Sequence, residues 1–240
     1  MQTGTPQTDA APTTGLDRRL LREAIQTIDA HWIRAPDQFV PGDILDRLLA
    51  PLVAIAERVP EPGAADHMHR VGRLAQATAL AAGWDSRRAA ELRVHGALHD
   101  VGKLGVRPAL LAKPGPLTPE ERRHVQRHAE IGFYLLCRAS TPLLRTAARV
   151  AREHHEWWNG DGYPFGLAGD LIHPSARVVA LADVYDALTS PRPYREAMRP
   201  ATALALMEEG RGRQFDPQLL DALLETTALR SSEAACGHLG

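Results

Sequence analysis

Apolar residues recur three and four positions apart along most of this chain, which is the spacing that gives an α-helix one apolar face. The pattern runs from Leu16 to Trp32, begins again at Asp43 and returns in several later segments. The segment 175–188 is rich in valine, yet its apolar positions fit a helix better than a strand. We therefore predict an all-α fold.

Changes in composition divide the chain into four parts. Residues 1–15 are rich in Thr, Pro, Gln and Gly, which is typical of a disordered leader. Residues 16–42 are expected to form a short helical N-terminal extension, and residues 43–228 to form one helical domain. The remaining residues, 229–240, are predicted to be a flexible tail.

One helix start and two long loops can be located from the sequence. Thr118 is followed by Pro119 and, three residues on, by Glu121, which is the pattern of a capping box with a proline in the first turn. We expect that helix to continue to about Cys137. Segments 102–116 and 157–174 carry no clear helical pattern, and loops of this length in a helical domain are often functional.

Charge, hydropathy and cysteine content exclude several classes of function. The formal net charge of −1 argues against broad binding to a nucleic acid polymer, because that mode needs a basic face. No stretch approaches the apolar length of a transmembrane helix, so membrane insertion is not expected. The first residues lack the features of a secretory signal, and Cys137 and Cys236 suggest no disulfide framework. These features predict a cytoplasmic protein.

Histidines are unusually clustered in the middle of the chain. There are eleven, and most fall between His67 and His173. The adjacent pair His99 and Asp100 is followed by Lys103 in the motif HDVGK. Taken alone, a His-Asp pair is more often a solvated or capping pair. Beside a glycine and a lysine, however, the carboxylate can bridge two metal ions while the lysine reaches a phosphate oxygen as a point charge.

Further candidate ligands occur in other predicted helices. A lone histidine in an amphipathic helix, as at His67 or His128, is usually a core or surface residue, and the pair 154–155 fits a polar helix end as well as a ligand pair. Asp183 lies in an apolar run, where burying a carboxylate without a partner is costly, and Asp186 follows one turn later. Together these side chains are an N/O ligand set without thiolates, which suits iron(II) or manganese. Such a set is large enough for two metals and favours phosphoester hydrolysis.

Several motifs occur in one order between residues 67 and 217. They are the H-x-x-R-V match at 67–71, HDVGK at 99–103, the segment 128–132, the segment 154–172 with Gly162-Tyr163-Pro164, the segment 177–195, and Phe215-Asp216-Pro217. In this order and spacing the chain resembles the HD-GYP branch of the HD-domain phosphohydrolases. The resemblance implies an HD-domain helical bundle with an HD-GYP C-terminal extension, and it makes residues 43–228 the catalytic domain.

The resemblance also implies an activity in bacterial second-messenger signalling. Members of the family are metal-dependent phosphodiesterases that hydrolyse cyclic di-GMP to pGpG, and some continue to GMP. The expected nucleophile is a metal-bridging hydroxide, so no side chain needs to attack. The implied cofactors are two divalent metal ions per chain, with iron(II) or manganese expected.

Site residues follow from the positions that match the family motifs. The implied catalytic residues are Asp100, as the bridge between metals, and Lys103, at the scissile phosphate. Tyr163 is expected near the substrate, and Arg192 and Arg195 are expected to hold its phosphates. The implied metal ligands are His67, His99, Asp100, His128, His154, His155 and Asp183. His69 and His124 do not match ligand positions.

The chain departs from the family pattern at a few positions. Members with three metals carry a glutamate four residues before the first histidine, where this chain has Gly63, and Glu61 is out of register. This departure favours a two-metal site with pGpG as the main product. Asn159 replaces a common aspartate, and the pair 157–158 is Trp-Trp. These changes affect the conformation of the GYP loop and its contacts with protein partners rather than hydrolysis.

Two alternatives to cyclic di-GMP hydrolysis stay open. One is hydrolysis of another nucleotide, including a cyclic GMP-AMP dinucleotide. The other is a signalling module that binds cyclic di-GMP or a protein partner without useful turnover. In an active enzyme as well, the GYP loop could bind a protein partner. The intact motif at His99 and Asp100 argues against the second alternative. The oligomeric state is left open by the sequence.

Overall fold

The computed structural model describes residues 15–34, 63–191 and 196–236, together with Ala50, Pro51 and Ala54. Within this part of the chain the regular elements are helices, and the only β-type pairings are two isolated bridges. The all-α prediction is therefore confirmed. No helix among the described residues combines the length and the apolar character that crossing a membrane would require.

Ten α-helices and two short 3-10 helices form the described part. The 3-10 helices are Val101–Gly105 and Gly169–Leu171. The α-helices are α1 (Gly15–Arg34), α2 (Ala64–Ala81), α3 (Ser86–Leu98), α4 (Pro108–Leu111), α5 (Pro119–Gln126), α6 (His128–Leu136), α7 (Pro142–Glu153), α8 (Pro174–Thr189), α9 (Pro200–Glu208) and α10 (Pro217–Cys236).

The helix that was expected to run from Thr118 to Cys137 is divided in two. Its start is confirmed, because Thr118 Oγ1 accepts a hydrogen bond from the amide of Glu121 while the Glu121 carboxylate accepts one from the amide of Thr118. The helix then breaks at Arg127, between α5 and α6. The break places His128 at the first position of α6, so its side chain leaves the helix at an end rather than from the middle.

Two further expectations differ from the structure. The segment 102–116, expected to be irregular, contains most of the first 3-10 helix and all of α4. Helix α10 continues to Cys236, which lies within the predicted tail of residues 229–240. Most of the predicted leader, residues 1–14, lies outside the described residues.

Two apolar clusters form the core. The first joins α1, α3, α6 and α7, with Met68 of α2, and in α1 it includes Leu21, Ala24 and Ile28. The second joins α2, α3, α8, α9 and α10, with Val150 of α7. Helix α3 contributes to both clusters, with Leu92 in the second and Leu98 in the first. The end of α3 therefore lies where the two clusters meet.

Helix α1 is fixed to the start of α7 by a buried carboxylate. Asp29 accepts hydrogen bonds from the amides of Ser140 and Thr141, at 2.9 and 3.2 Å, and from the Thr141 hydroxyl at 2.5 Å. Thr141 is itself the N-cap of α7, where it accepts from the amide of Leu144. Amides at a helix start have no partner within the helix, so these contacts satisfy them.

Helices α2 and α3 cross in backbone contact. A Cβ atom built on Gly96 would lie 2.6 Å from the Cα atom of Gly72, and one built on Gly72 would lie 2.7 Å from the carbonyl oxygen of Arg93. Only residues without a Cβ atom allow two helices to approach this closely. The crossing brings the start of α2 beside the end of α3, where the ring centroids of His67 and His99 are 5.3 Å apart.

Candidate metal centre

All seven side chains predicted to bind metal converge in one region. They come from the first turn of α2, the end of α3, the start of α6, the end of α7 and the middle of α8. They form two groups, and within each group one ligand atom from every residue lies within 4.8 Å of the others. Group A contains Asp100, His128, His154 and His155, and group B contains His67, His99 and Asp183.

Asp100 lies between the two groups. Its Oδ1 atom is 3.3 Å from Nε2 of His128 and 3.9 Å from Nε2 of His154, both in group A. Its Oδ2 atom is 3.3 Å from Nε2 of His99, in group B. Asp100 directly follows α3 and precedes a 3-10 helix, so the turn between them directs its carboxylate into the site. One carboxylate thus faces both groups.

Backbone carbonyls set the tautomers of three histidines. Nδ1 of His99 donates to the carbonyl of Gly96 at 2.6 Å, and that of His128 to the carbonyl of Val125 at 2.8 Å. His154 donates in the same way to Ala151 at 3.0 Å. A carbonyl only accepts, so Nδ1 carries a proton and Nε2 is the ring atom left to bind a metal ion in the site. These carbonyls lie in the last turns of α3, α5 and α7, where the backbone is not fully paired within the helix.

The donor atoms need a cation between them. Nε2 of His128 and Nε2 of His154 face each other at 3.5 Å, and two lone pairs at that distance repel. Nε2 of His99 is buried and has no hydrogen-bond partner among the described residues. A buried acceptor without a partner is costly, and a metal ion would satisfy all three nitrogen atoms. The residues present therefore fit a metal, with nitrogen and oxygen donors.

The protonation states favour cation binding in group A. Burial lowers the pKa of His155 to about 4, and burial likewise lowers the pKa values of His128 and His154. These imidazoles are neutral at pH 7 and hold no proton that a metal must displace. Burial alone would raise the pKa of Asp100, but the charge of Lys103 holds that pKa well below its usual range. Group A therefore combines neutral imidazoles with an ionised carboxylate.

His67 is held in a different way. Its Nε2 atom is 3.3 Å from Oδ1 of Asp183, and its Nδ1 atom is 2.8 Å from Oδ2 of Asp186. Burial lowers the pKa of His67, but the two carboxylates outweigh that effect and raise the pKa to about 9. Asp186 belongs to neither ligand group. The sequence placed Asp186 on the same helix face as Asp183 without assigning it a role, and the structure makes it the hydrogen-bond partner of His67.

Other predicted site residues line the same region. Nζ of Lys103 is 2.8 Å from Oδ2 of Asp100. The ring of Tyr163 stacks on that of His155, with centroids 4.7 Å apart and planes at 28°. Burial raises the pKa of the Tyr163 phenol well above its usual range, so this group is neutral. Arg192 and Arg195 lie outside the described residues.

A buried glutamate holds the loop that carries Tyr163. Glu156 accepts hydrogen bonds from the amides of Phe165 at 2.8 Å and Leu167 at 3.0 Å. The amide of Tyr163 donates to the carbonyl of His155 at 3.1 Å. At Gly162 a Cβ atom would lie 2.5 Å from Cα of Glu156, so the loop folds back closely onto the end of α7. In the sequence analysis Glu156 was only one member of the segment 154–172, with no role assigned to it.

One arginine side chain lies over the ring of each tryptophan of this loop. The guanidinium of Arg213 lies over the ring of Trp157 at 5.5 Å, and that of Arg177 lies over Trp158 at 5.3 Å. The amide of Trp158 also donates to the carbonyl of Gln214. Both rings are partly buried. These contacts join the loop to the turn that precedes α10.

Residues 47–219 match a family described as the HD domain. The chain belongs to the HD-domain family. The chain is 37% identical over 205 residues to the cyclic di-GMP phosphodiesterase response regulator RpfG of Xanthomonas campestris pv. campestris, covering 80% of this chain and 54% of that protein. It is 38% identical over 175 residues to the 3'3'-cGAMP-specific phosphodiesterase 2 of Vibrio cholerae, covering 72% of this chain and 33% of that protein. The chain thus spans little more than half of one relative and a third of the other.

A solved structure has the same fold as this HD domain. It is described as Bd1817, a HDG"Y"P protein from Bdellovibrio bacteriovorus, and it aligns with a TM-score of 0.54 over 93% of this chain and 74% of that one. The sequence identity is 18%, so the likeness concerns the fold. The family match and the relatives confirm the resemblance to the HD-GYP branch.

Proposed function

We propose that this chain is a metal-dependent phosphodiesterase that hydrolyses cyclic di-GMP. The observation that supports this most strongly is the position of Asp100, whose two carboxylate oxygens face two separate ligand groups. A shared carboxylate between two groups of neutral and anionic donors is the arrangement expected for a pair of cations. Relatives named as cyclic di-GMP phosphodiesterases support the choice of substrate.

The proposed cofactors are two divalent ions per chain, iron(II) or manganese. Group A would hold one ion and group B the other, with Asp100 shared between them. The donors are imidazole nitrogens and carboxylate oxygens, a set that suits these metals better than a thiolate-rich one would. When bound, such ions would lower the pKa of a water molecule and stabilise negative charge on the scissile phosphate.

The other side chains would bind and orient the substrate. The Lys103 ammonium lies at the edge of the site beside Asp100, where it would contact an oxygen of the scissile phosphate. Tyr163, held against His155, remains a neutral hydrogen-bond donor next to the site. We propose that Arg192 and Arg195 hold the substrate phosphates. The buried histidines limit the access of bulk water around the reacting groups.

We propose pGpG as the main product. The position where a third-metal glutamate is expected is Gly63, which has no side chain to donate a ligand. Gly63 has a φ angle of 78° at the start of α2, a left-handed conformation that side-chain-bearing residues rarely adopt. The backbone at this position therefore favours glycine, and a two-metal site is expected to stop after the first hydrolysis.

A cyclic GMP-AMP dinucleotide is the second candidate substrate. Several relatives at comparable identity are named as 3'3'-cGAMP-specific phosphodiesterases, including one that is 44% identical over 142 residues. Both substrates contain the same phosphodiester ring, and they differ in one base. The metal centre therefore does not discriminate between them, and the choice depends on base contacts.

The test is metal content and product analysis on one anaerobic preparation. The protein would be incubated separately with cyclic di-GMP and 3'3'-cGAMP, and the products followed by chromatography. His128→Gln, which removes a ligand of group A, should be inactive, and His124→Gln, which changes a histidine outside both groups, is the matched control. Two ions per chain with pGpG as product would support the proposal.

Three other outcomes would change the proposed function. Faster turnover of 3'3'-cGAMP would move the assignment to the second candidate. Substantial GMP would contradict the inference from Gly63. Full metal loading without turnover of either dinucleotide would overturn the proposed activity and leave a binding role.

A further inference from the structure

Asp186 forms a three-residue network just outside group B. Its Oδ2 atom is 2.8 Å from Nδ1 of His67. Arg70 donates twice to the same carboxylate, from Nε to Oδ1 at 2.6 Å and from Nη2 to Oδ2 at 3.0 Å. The Asp186 side chain is 8% exposed, whereas that of Arg70 is 46% exposed. The carboxylate is thus buried between an imidazole and a guanidinium.

The network distinguishes His67 from three of the other four candidate ligand histidines. For His99, His128 and His154, the Nδ1 partner is a backbone carbonyl three residues earlier in the chain. His67 lies in the first turn of α2, and its Nδ1 partner is a side chain on another helix, α8. The orientation of the other three rings follows from local backbone, whereas that of His67 depends on how α2 and α8 are paired.

Helices α2 and α8 contribute residues to this network with the same spacing. Helix α2 carries His67 and, three residues later, Arg70, while α8 carries Asp183 and, three residues later, Asp186. Residues three apart share a helix face. Each helix therefore presents one ligand and one supporting residue, and the supporting residues pair with each other through two hydrogen bonds. This pairing holds two of the three group B ligands, His67 and Asp183, at a fixed separation.

We propose that Asp186 and Arg70 are positioning residues that control metal occupancy of group B separately from group A. Asp186 orients His67 so that Nε2 faces Asp183, and Arg70 fixes the carboxylate and balances its charge. Among the described residues, neither side chain makes a hydrogen bond or ion pair with a group A residue, and His128 and His154 of group A have backbone hydrogen bonds of their own. The inference rests on the proposed function only in that groups A and B each hold a divalent cation.

The experiment is a manganese(II) titration of the full chain under anaerobic conditions. Binding would be followed by calorimetry and by electron paramagnetic resonance, which distinguishes an isolated manganese ion from a coupled pair. Loss of a side chain that hydrogen-bonds a ligand histidine typically weakens metal affinity about 10- to 100-fold. Asp186→Asn should therefore weaken one of two sites by that factor and give the signal of an isolated ion at limiting metal.

Comparison variants make the result specific. Asp170→Asn changes a carboxylate whose side chain is 92% exposed and should leave both sites unchanged. Arg70→Met should weaken the same single site, and Arg70→Lys, which keeps the charge but not the two-point contact, should recover part of the affinity. Circular dichroism establishes that each variant is folded. If Asp186→Asn does not fold, the two Arg70 variants decide the question.

The outcomes separate this inference from the proposed function. A native chain that binds no manganese would refute the two-ion site itself. A native chain that binds two ions, with unchanged affinities in folded Asp186→Asn or in Arg70→Met, would overturn the positioning role. Loss of both ions in a folded variant would overturn the separate control of group B.

Discussion

Nζ of Lys103 lies 2.8 Å from Oδ2 of Asp100, one helical turn earlier in the chain. The same carboxylate oxygen is the one that faces His99 in group B. Asp100 therefore contacts residues of both ligand groups. It also contacts the Lys103 ammonium, which is expected to bind the scissile phosphate. This arrangement makes the roles of the two residues separable by experiment.

Asp100→Asn should weaken metal binding and turnover together. The amide keeps the size of the side chain but removes the negative charge that the two cations would share. We expect a loss of one or both ions per chain and a fall in turnover of at least about 100-fold. Elemental analysis and chromatography of the same sample would measure both. Two retained ions together with retained turnover would refute the role of Asp100 as the bridge.

Lys103→Met should lower turnover without lowering metal content, whereas Asp100→Asn should lower both. Methionine retains most of the apolar stem, so packing is largely kept, but the charge that would contact the phosphate is gone. We expect turnover to fall about 10- to 100-fold while metal content stays near the native value. The same two measurements apply. If metal is lost in this variant, the contact with Asp100 is structural and the lysine is not a substrate contact.

Glu156→Gln should loosen the loop that carries Tyr163. The carboxylate accepts from two backbone amides, whereas a glutamine presents one oxygen and one NH₂ group, so one amide would face a donor. We expect unchanged metal content and a fall in kcat/KM of about 10-fold, which corresponds to the loss of a hydrogen bond to a charged group.

Near-ultraviolet circular dichroism would report on the loop directly, because Tyr163 stacks on His155. Asp161→Asn, in the exposed part of the same loop, is the matched control. A native spectrum and native kinetics in Glu156→Gln would show that the loop holds its position without this carboxylate.

His95→Gln should make folding stability less dependent on pH. Burial lowers the pKa of His95 to about 3, and Nε2 donates to the carbonyl of Leu143 at 3.2 Å. The native ring stays neutral below pH 6.5, whereas the unfolded chain takes up a proton. Stability is therefore lost as the pH falls from about 6.5 towards 3. Between pH 7 and pH 5 this single group accounts for about 2 kcal/mol of the free energy of unfolding.

Urea unfolding of the chelator-treated protein at pH 7 and pH 5 would measure the difference. Glutamine can keep the hydrogen bond to Leu143 but takes up no proton, so the variant should lose about 2 kcal/mol less than the native chain over this interval. An equal loss in both proteins would mean that His95 is protonated in the folded state.

The seven candidate ligands could be proposed from the sequence because their positions match motifs of the HD-GYP branch, and the structure brings them together. His99 and Asp100 are adjacent, and His154 and His155 are adjacent, so their joint presence needed no knowledge of the fold. The division into groups A and B was not predictable in this way. It depends on which helix ends meet, and His99 and Asp100, although neighbours in the chain, fall into different groups.

The supporting residues were harder to predict for a related reason. The partner of Asp186 is on α2, more than a hundred residues away, and the partners of Glu156 are backbone amides that no sequence pattern marks. The break at Arg127 also escaped prediction, because local helix propensity continues across it. The position of His128 at the start of α6 is the functional consequence of that break.

The two apolar clusters imply that metal ions bound at the site would also connect helices to one another. Asp183 of group B lies in α8, which packs in the second cluster, and His128 of group A lies in α6, which packs in the first. Asp100 lies between the two groups, while α2, α3 and α7 contribute buried residues to both clusters. Bound ions would therefore add a further connection between the two clusters, beside the packing of these three helices.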